Sequence, residues 1–433
     1  MDSKTYVIFA EELLEKGKEN IPNFLVLNKH LIYSSPATLS FNSPGAEGFG
    51  VKRAGLAIPD SVMLLVAPAC CGRNTSSLGS LGNDRERFFY YMMDETDIVT
   101  GRHLSKIPQA VKEVCDFLEK KPSVVMICIT CVDALLGTDM ERVCKKASEK
   151  VGLPVLPCYM YALTREGRKP PMVHVRQSLY SLLQQTKRVP TTVNLLGYFS
   201  PLNDDSEIYS ILKQLGIKKI NELSRCKNYE EYLNMSQANF NLVLNPEADY
   251  AASDMQQRLN MPFIDLIRLY QIDKIKKQYH SLANALGGKI DDSIYYEKAK
   301  KEIENFISDF KGLKVSIGGT INANAYELSL ALLTYGIEVE EIYATLAKED
   351  FVYIKKIAKI SPNTKIYSNM EPTMLYYDCS DSKVDLTLGK DAKYYHPNCP
   401  NVPFNEDRQP FGYAGLILLL KQMRKALKGG DRL

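Results

Sequence analysis

The stretch SVMLLVAPACCGRNTSSLG (61–79) runs from an apolar segment directly into two adjacent cysteines and a glycine. Its first part, SVMLLVA (61–67), carries no charge, which predicts a strand buried on both faces. Comparable runs recur as SVVMICIT (123–130), TVNLLG (192–197), FNLVLN (240–245), KVSIGG (314–319) and VDLTLG (384–389). Helical patterns such as IPQAVKEVCDFLEKK (107–121) and NAYELSLALLTYGI (324–337) lie between them. Apolar strands that alternate with helices predict an α/β fold of parallel sheets covered on both faces.

Two breaks in this alternation suggest domain boundaries. The segment QQTKRVPTT (184–192) is basic and contains a proline, and DDSIYYEKAKKEIENFISDFKG (291–312) reads as a long charged helix. The expected organisation is three Rossmann-like domains, each a mostly parallel sheet flanked by helices. The predicted bounds are 1–29 for an N-terminal helical extension, 30–188 for the first domain, 190–304 for the second domain, and 305–433 for the third domain with a C-terminal helix.

Composition and motifs exclude several classes of function. The 54 basic and 51 acidic residues nearly balance, and no basic run stands out, so a nucleic-acid partner is not expected. No stretch reaches the ~18 apolar residues of a membrane span, and residues 1–20 lack the order of a signal peptide. We therefore expect no membrane association and a cytoplasmic location. No G-x-x-x-x-G-K-[ST] loop is present, which excludes nucleotide hydrolysis by that route.

The cysteine pattern leaves several kinds of site open. Ten cysteines in a reducing compartment are more often buried, reactive or metal-binding than paired in disulfides. Cys128 and Cys131 form C-I-T-C, which a redox pair, a zinc site or simple packing would explain. Cys71 and Cys131 each follow an apolar strand of one domain, so they are expected at the same sheet edge. That placement suits an iron–sulfur cluster.

The remaining cysteines favour structural roles. Cys115, Cys144 and Cys158 lie in apolar patterns and are predicted to pack in the core. His396 and Cys399 in H-P-N-C (396–399) are either metal ligands or parts of an ordinary loop.

Several motifs, taken in order, resemble nitrogenase component 1 subunits and their relatives. APACCGRNTSS (67–77), ETDIVTGRHLSKIPQAV (95–111) and ITCVDALLGTDMERV (129–143) are similar to that family's first domain. The resemblance continues through VNLLGYFSPLNDDSEIYSILKQLGI (193–217), GLKVSIGGTINANAYELSLALLTYGIEV (312–339) and PFGYAGLILLLKQM (410–423). It covers roughly residues 25–425 and again implies three Rossmann-like domains.

The resemblance implies an iron–sulfur cluster, [4Fe–4S] or P-cluster-like, shared at a subunit interface. In the family each of two homologous subunits provides three cysteines, and Cys71 and Cys131 match the second and third. The first is missing, because FNSPGAEGF (41–49) offers Asn42, Ser43 and Glu47 but no thiol. Cys70 would be a substitute ligand, a spare thiol or a packing residue.

A second departure concerns the cofactor-anchoring residues of nitrogenase alpha subunits. NLVLNPEADY (241–250) has Asn245 near the position of the family's cysteine, and NVPFNEDRQP (401–410) contains no histidine. A nitrogenase-type cofactor held in that manner is therefore not expected in this chain.

The function implied by the resemblance is a subunit of a nitrogenase-like reductase. It would relay low-potential electrons from an ATP-dependent iron protein, through the cluster, to a substrate or cofactor in the interdomain cleft. The implied partners are a homologous subunit, identical or not, the iron protein and a small-molecule substrate, and ATP enters only through the iron protein. The alternatives are a scaffold for metal-cofactor assembly and a degenerate, non-catalytic ligand-binding homologue.

Polar residues near strand ends are the candidate cleft residues. Asn245, Glu247 and His396 are the catalytic candidates, and Asn322 and Asn324 are the candidates for cofactor binding. Asp378 and Glu371 are the candidate proton donors. Each of these residues, taken singly, also fits a helix cap or turn. The helix start in GGTINANAY (318–326) fits either an anion site or a tight turn.

Overall fold

The computed structural model describes residues 4–26, 36–37, 55–69, 85–159 and 170–429. They divide into two compact units. One contains the described parts of Met1–Ser43, Leu202–Leu215 and Arg268–Leu433, and the other those of Pro44–Pro201 and Gly216–Ile267. No helix among the described residues is long and apolar enough to cross a membrane.

The chain begins with a two-residue strand and a short helix, β1 (Ile8–Phe9) and α1 (Ala10–Lys16). The first sheet follows and is entirely parallel. It contains β2 (Val62–Pro68), β3 (Phe88–Met93), β4 (Val125–Ile129) and β5 (Val155–Tyr159), in the order β3–β2–β4–β5. Its helices are α2 (Glu95–Thr100), α3 (His103–Phe117), α4 (Cys131–Leu136), α5 (Met140–Val151) and α6 (Pro171–Tyr180).

The second sheet is also parallel and repeats the strand order of the first. It contains β6 (Val189–Leu196), β7 (Lys219–Glu222), β8 (Ala238–Val243) and β9 (Phe263–Asp265), in the order β7–β6–β8–β9. Helices α7 (Ile208–Gln214), α8 (Tyr229–Leu233) and α9 (Asp249–Leu259) belong to this stretch of sequence. Apolar side chains of the first and second sheets, with those of α6 and α9, form one continuous core.

Three buried asparagines fix the register of the second sheet. Asn221 donates its side-chain amide to Oδ1 of Asn194 at 2.9 Å, and Asn194 donates to Oδ1 of Asn241 at 2.9 Å. They stand at matching positions of β7, β6 and β8. Because a buried amide needs partners, a one-residue slip of any of these strands would leave polar groups unpaired.

The third sheet combines five parallel strands with the N-terminal strand. It contains β10 (Lys314–Gly318), β11 (Glu338–Tyr343), β12 (Lys365–Tyr367), β13 (Leu386–Leu388) and β14 (Asn401–Val402), in the order β1–β12–β11–β10–β13–β14. Strand β1 pairs antiparallel with β12. The accompanying helices are α10 (Ile272–Ala285), α11 (Ser293–Asp309), α12 (Ala325–Tyr335), α13 (Phe351–Ile360), α14 (Lys390–Tyr395) and α15 (Gly412–Leu427).

A buried carboxylate on α12 satisfies the backbone just before α10. Glu327 accepts hydrogen bonds from the backbone N–H of Tyr270 at 3.0 Å and of Gln271 at 3.1 Å, and from the Gln271 side chain at 3.1 Å. Burial raises the pKa of Glu327 to about 7, although these N–H donors oppose the rise.

We expect Glu327→Gln to remove a component of the pH dependence of stability. The pKa of Glu327 is about 7 in the folded chain and has its ordinary value of 4.5 in the unfolded chain. Between pH 4.5 and pH 7 the folded chain therefore keeps a proton that the unfolded chain releases. The contribution of Glu327 to the free energy of unfolding is therefore full below pH 4.5 and falls by roughly 3 kcal/mol as the pH rises through about 7. Urea unfolding at several pH values would measure this.

The control for this experiment is Glu113→Gln, which changes an exposed carboxylate on α3. Its stability curve should run parallel to that of the unsubstituted protein, and the Glu327→Gln curve should be flatter between pH 4.5 and 7. If the stability curve of Glu327→Gln ran parallel to that of the unsubstituted protein, Glu327 would not carry a proton in the folded chain over this pH range.

Candidate functional site

The carboxyl ends of β2 and β4 meet at the switch point of the first sheet. Val66 pairs with Ile129, so the chain leaves both strands side by side. In open α/β sheets, ligands bind outside the strand ends at the point where the strand order reverses. The first sheet reverses between β2 and β4, since β3 lies on one side and β4 on the other.

Of the predicted cluster ligands, Cys131 is placed at this switch point. It is the first residue of α4, two residues after the end of β4. Cys70 and Cys71 follow β2 in the sequence but lie outside the described residues, as do Asn42, Ser43 and Glu47. Their assignment as ligands or substitutes stays a prediction.

A buried histidine fastens α4 to the start of α3. His103 and Asp133 are both fully buried, and Nε2 of His103 lies 3.0 Å from Oδ1 of Asp133. The other ring nitrogen lies 2.9 Å from the carbonyl oxygen of Asp97. Two sequence motifs, ETDIVTGRH (95–103) and CVDALLG (131–137), therefore meet through this contact. The contact fixes the segment that begins with Cys131.

Two buried oxygens beside Cys131 have no hydrogen-bond partner among the described residues. They are Oγ1 of Thr130 and Oδ2 of Asp133. Buried polar atoms are nearly always hydrogen-bonded, so these two oxygens need partners that the described residues do not supply. Thiolate is the ligand that iron–sulfur clusters take. Cys131 begins α4 at this switch point, so a residue of the type that holds such a cluster stands here, and its role as a ligand stays a prediction.

The second sheet has its switch point between β6 and β8. Gly197 follows β6 with a φ of +130°, and a Cβ there would lie 2.8 Å from the backbone N of Asn245. The side chain of Asn245 accepts a hydrogen bond from the backbone N–H of Glu247 at 3.0 Å and so caps a short 3-10 turn, Pro246–Ala248. Glu247 forms an ion pair with Arg176 of α6. Two of the catalytic candidates thus meet here.

The switch point of the third sheet, between β10 and β13, is filled by Asp391. This buried carboxylate accepts hydrogen bonds from the backbone N–H of Gly319 at 2.6 Å and from the Thr320 hydroxyl at 2.8 Å. The side-chain amide of Asn369 also donates to it. The N–H groups after the strand are therefore occupied, which favours the tight turn over an anion site in GGTINANAY.

Both cofactor-binding candidates hold the local backbone together. Asn324 caps α12, because its Oδ1 accepts from the N–H of Tyr326 at 3.0 Å and of Glu327 at 3.1 Å. Asn322 donates to the Gln409 side chain at 3.1 Å and accepts from the backbone N–H of Glu406. Their roles as cofactor ligands stay predictions.

His396 lies in a buried cluster of tyrosines around Glu341. Its Nε2 is 2.7 Å from Oε2 of Glu341, and the hydroxyls of Tyr343 and Tyr377 donate to the same carboxylate at 2.7 and 3.0 Å. Burial alone would raise the pKa of Glu341, but these hydrogen bonds bring it below its ordinary value. Cys399 donates its thiol to the carbonyl oxygen of Val384 at 3.1 Å, and its backbone N–H donates to the carbonyl oxygen of His396 at 3.1 Å.

The two predicted proton donors both lie at turns of the third-sheet region. Asp378 is exposed and its carboxylate accepts from the N–H of Ser380 at 2.9 Å. Glu371 is buried at the start of the 3-10 turn Pro372–Tyr376, where it accepts from the N–H of Thr373 at 3.4 Å. In the part of the chain that the structure describes, no three His, Cys, Asp or Glu side chains are arranged to hold a metal ion.

A surface depression of about 570 Å³ lies between α3 and α5. It is lined by Gly101, Leu104, Ser105, Pro108, Thr138, Asp139, Arg142, Val143 and Lys146. None of the residues singled out from the sequence lines it, but its Thr138 donates a hydrogen bond to Oδ1 of Asp133 at 3.1 Å.

Comparison with known proteins identifies the family. The family model described as nitrogenase component 1 type oxidoreductase matches residues 47–428. The chain belongs to this family. The predicted membership and the predicted α/β fold of parallel, helix-flanked sheets are both confirmed.

Relatives of this nitrogenase component 1 type chain include two proteins named nitrogenase iron-molybdenum cofactor biosynthesis protein NifE. The one from Sinorhizobium fredii is 26% identical over 91% of this chain and 83% of that protein. The one from Nostoc sp. is 24% identical over 86% of this chain and 80% of that protein. A solved structure described as nitrogenase Cp1 at pH 6.5 shares the fold, with a TM-score of 0.70 and 17% identity over 94% of this chain and 95% of that one.

Several residues at the switch points of this nitrogenase component 1 type chain were not found from the sequence. Arg176 and Asp391 reach their strand ends from helices distant in the sequence, and His103 meets Asp133 across 30 positions. In the sequence, only Gly197 and Gly318 hinted that other groups lie at these strand ends. A glycine at a strand end indicates that another group approaches the backbone closely.

Proposed function

We propose that this chain is a subunit of a scaffold on which an iron–sulfur cofactor is assembled and then handed on. The observation that carries the proposal is the likeness, over most of both chains, to relatives named as iron-molybdenum cofactor biosynthesis proteins. The geometry supports it as well, since Asn245 caps a turn and His396 is buried against Glu341. The side-chain oxygen of Asn245 and Nε2 of His396 are thus engaged by the chain's own groups.

In this proposal Cys131 and Cys71, with Cys70 as a substitute, hold a cluster shared with a homologous component 1-type subunit. The cluster is [4Fe–4S] or P-cluster-like, and when bound it supplies the iron and sulfide chemistry of assembly. The chain itself positions the ligand, because His103 and Asp133 hold the start of α4 against α3. An iron protein that hydrolyses ATP is the expected redox partner, and the cytoplasm is the expected location.

Cys131→Ala is expected to abolish iron binding. Removing one thiolate from a small shared ligand set opens a coordination position, and a cluster with an incomplete ligand set is lost during purification. The measurement is iron and sulfide content of the anaerobically purified full chain, with electron paramagnetic resonance of the reduced protein. Cys71→Ala should behave as Cys131→Ala does.

The matched control is Cys115→Ser, which removes a half-buried thiol from α3. It should retain the iron of the unsubstituted protein. Unchanged iron in Cys131→Ala would contradict the ligand assignment. If the unsubstituted protein, purified with its homologous subunit, contained no iron, the scaffold proposal would be wrong and the chain would instead be a non-catalytic, ligand-binding homologue.

A second experiment distinguishes the scaffold function from that of an electron-relaying reductase. The iron-loaded chain is mixed with an acceptor protein that lacks its cofactor, and then with an iron protein, ATP and small-molecule substrates. The scaffold predicts a single loss of iron to the acceptor and no repeated reduction. Sustained, ATP-dependent reduction over many turnovers would overturn the scaffold in favour of the reductase.

A further inference from the structure

The switch point of the second sheet holds a buried positive charge. Helix α6 brings Arg176 to the crevice between the ends of β6 and β8, where the side chain is only 5% exposed. This is the place where open α/β sheets bind ligands. Gly197 allows the two strand ends to approach each other there, because a side chain would meet the backbone of Asn245.

Most of the guanidinium is held by groups that cannot move away. Nε and Nη2 donate to the carbonyl oxygen of Gly197 at 3.1 and 2.9 Å, and Nη1 donates to that of Met172 at 2.9 Å. The ring of Phe199 covers one face, with its centroid 4.4 Å from Cζ. Since these partners are backbone oxygens and a packed ring, the guanidinium is fixed in position whether or not its counter-ion is present.

The counter-ion differs from the other partners because it can leave. Oε2 of Glu247 lies 2.7 Å from Nη1, yet the Glu247 side chain is 48% exposed. A buried cation needs a negative partner, while a half-exposed carboxylate is stabilised by water almost as well as by the pair. The pair is therefore asymmetric: Arg176 needs an anion, but Glu247 does not need Arg176.

The third sheet provides the internal comparison. Its switch point is also filled by a carboxylate, but Asp391 is buried and is held by Gly319, Thr320 and Asn369. Displacing it would break several hydrogen bonds in the interior. Displacing Glu247 breaks one ion pair at the surface.

We propose that Glu247 is an exchangeable counter-ion and that this crevice binds a small oxyanion, a carboxylate or a phosphate, on Nη1 of Arg176. The anion takes the position of the Glu247 carboxylate, whose side chain turns to solvent. Both anion types accept hydrogen bonds from a guanidinium N–H, and Nη1 is the nitrogen that contacts the counter-ion here. This inference goes beyond the proposed scaffold function and does not rest on it, because Arg176 and Glu247 belong to a different sheet from Cys131.

The test is calorimetric titration of the iron-free full chain with inorganic phosphate, and separately with malonate, at constant ionic strength set with chloride. Glu247→Gln removes the competing charge and should bind one of these anions about tenfold more tightly than the unsubstituted protein. Arg176→Lys should lose that binding, because an ammonium group cannot reproduce the two donations to the carbonyl oxygen of Gly197 that hold the charge in position. The two titrations distinguish a phosphate site from a carboxylate site.

The matched control is Asp254→Asn. It removes the acidic partner of Arg258, another guanidinium of the same unit that donates to two backbone carbonyl oxygens but lies on α9 away from the strand ends. Its anion affinity should equal that of the unsubstituted protein. Equal affinities of Glu247→Gln and the unsubstituted protein for both anions, or an equal gain in Asp254→Asn, would overturn the proposal. This comparison decides the matter even if Arg176→Lys does not fold.

Discussion

Gly412→Ala is expected to destabilise the protein by about 3–5 kcal/mol, because it introduces both backbone strain and a buried clash. Gly412 begins α15 with a φ of +62°, and a Cβ there would overlap the carboxylate of Glu207 and the hydroxyl of Tyr279. The left-handed conformation alone costs an alanine about 1–2 kcal/mol. Displacing a buried, charged acceptor from its donors costs a further ~1.5–3 kcal/mol.

The carboxylate of Glu207 matters because it caps α15. It accepts from the N–H of Tyr413 at 2.7 Å, from the N–H of Ala414 at 3.0 Å and from the hydroxyl of Tyr279 at 2.7 Å. The first N–H groups of a helix have no partner within the helix, so they need this acceptor. Burial raises the pKa of Glu207, although the hydrogen bonds oppose the rise.

The control for this prediction is Gly336→Ala. Gly336 ends α12 with a φ of +89°, but a Cβ there would meet no atom within 4 Å. Gly336→Ala should lower the free energy of unfolding by only ~1–2 kcal/mol, which is the cost of the backbone strain alone. Urea unfolding followed by circular dichroism measures both, and equal losses would contradict the cap assigned to Glu207.

The three switch points share their place in the strand order and differ in the side chains found there. The first carries Cys131 with two partnerless oxygens, the second a buried Arg176 with an exposed counter-ion, and the third a sealed Asp391. Strand order explains why each position can receive a ligand. Whether it does depends on whether the chain already supplies a buried partner. By this criterion the third switch point is closed, whereas the described residues supply no buried partner of this kind at the first or the second.

Much of this fold could be predicted from short apolar runs. SVMLLVA (61–67) and KVSIGG (314–319) are strands, and so are the other four runs quoted with them. EVEEIY (338–343) was missed, because its glutamates conceal a strand whose Glu341 is buried in a polar cluster. Strand β1 was missed as well, since two residues carry no periodicity.

The site was harder to predict than the fold. Order along the chain placed Cys131 after a strand, and the structure puts it at the start of α4. It could not show that Arg176 faces Glu247, since 71 positions separate them and neither belongs to a local motif. Contacts between distant segments depend on which helices pack on which sheet, and single-sequence patterns do not carry that information.

Gly318→Ala is expected to cost about 3 kcal/mol in the unsubstituted protein and less than about 1 kcal/mol when Asp391 is alanine. Gly318 ends β10, and a Cβ there would overlap the carboxylate of Asp391. In the unsubstituted protein the carboxylate must move and leave the N–H groups of Gly319 and Thr320 without their acceptor. Once Asp391 is alanine, the three atoms nearest to the added methyl group are gone, so the clash that dominates the cost is removed.

The expected coupling of about 2 kcal/mol is measured by a double-mutant cycle in urea. Asp391→Ala is itself destabilising, because it leaves buried donors unpaired, so only the difference between the two backgrounds is informative. If Gly318→Ala costs the same in both backgrounds, Asp391 does not fill the crevice. A strong coupling would establish that the chain's own carboxylate closes the third switch point. A ligand is therefore expected at the first or second switch point and not at the third.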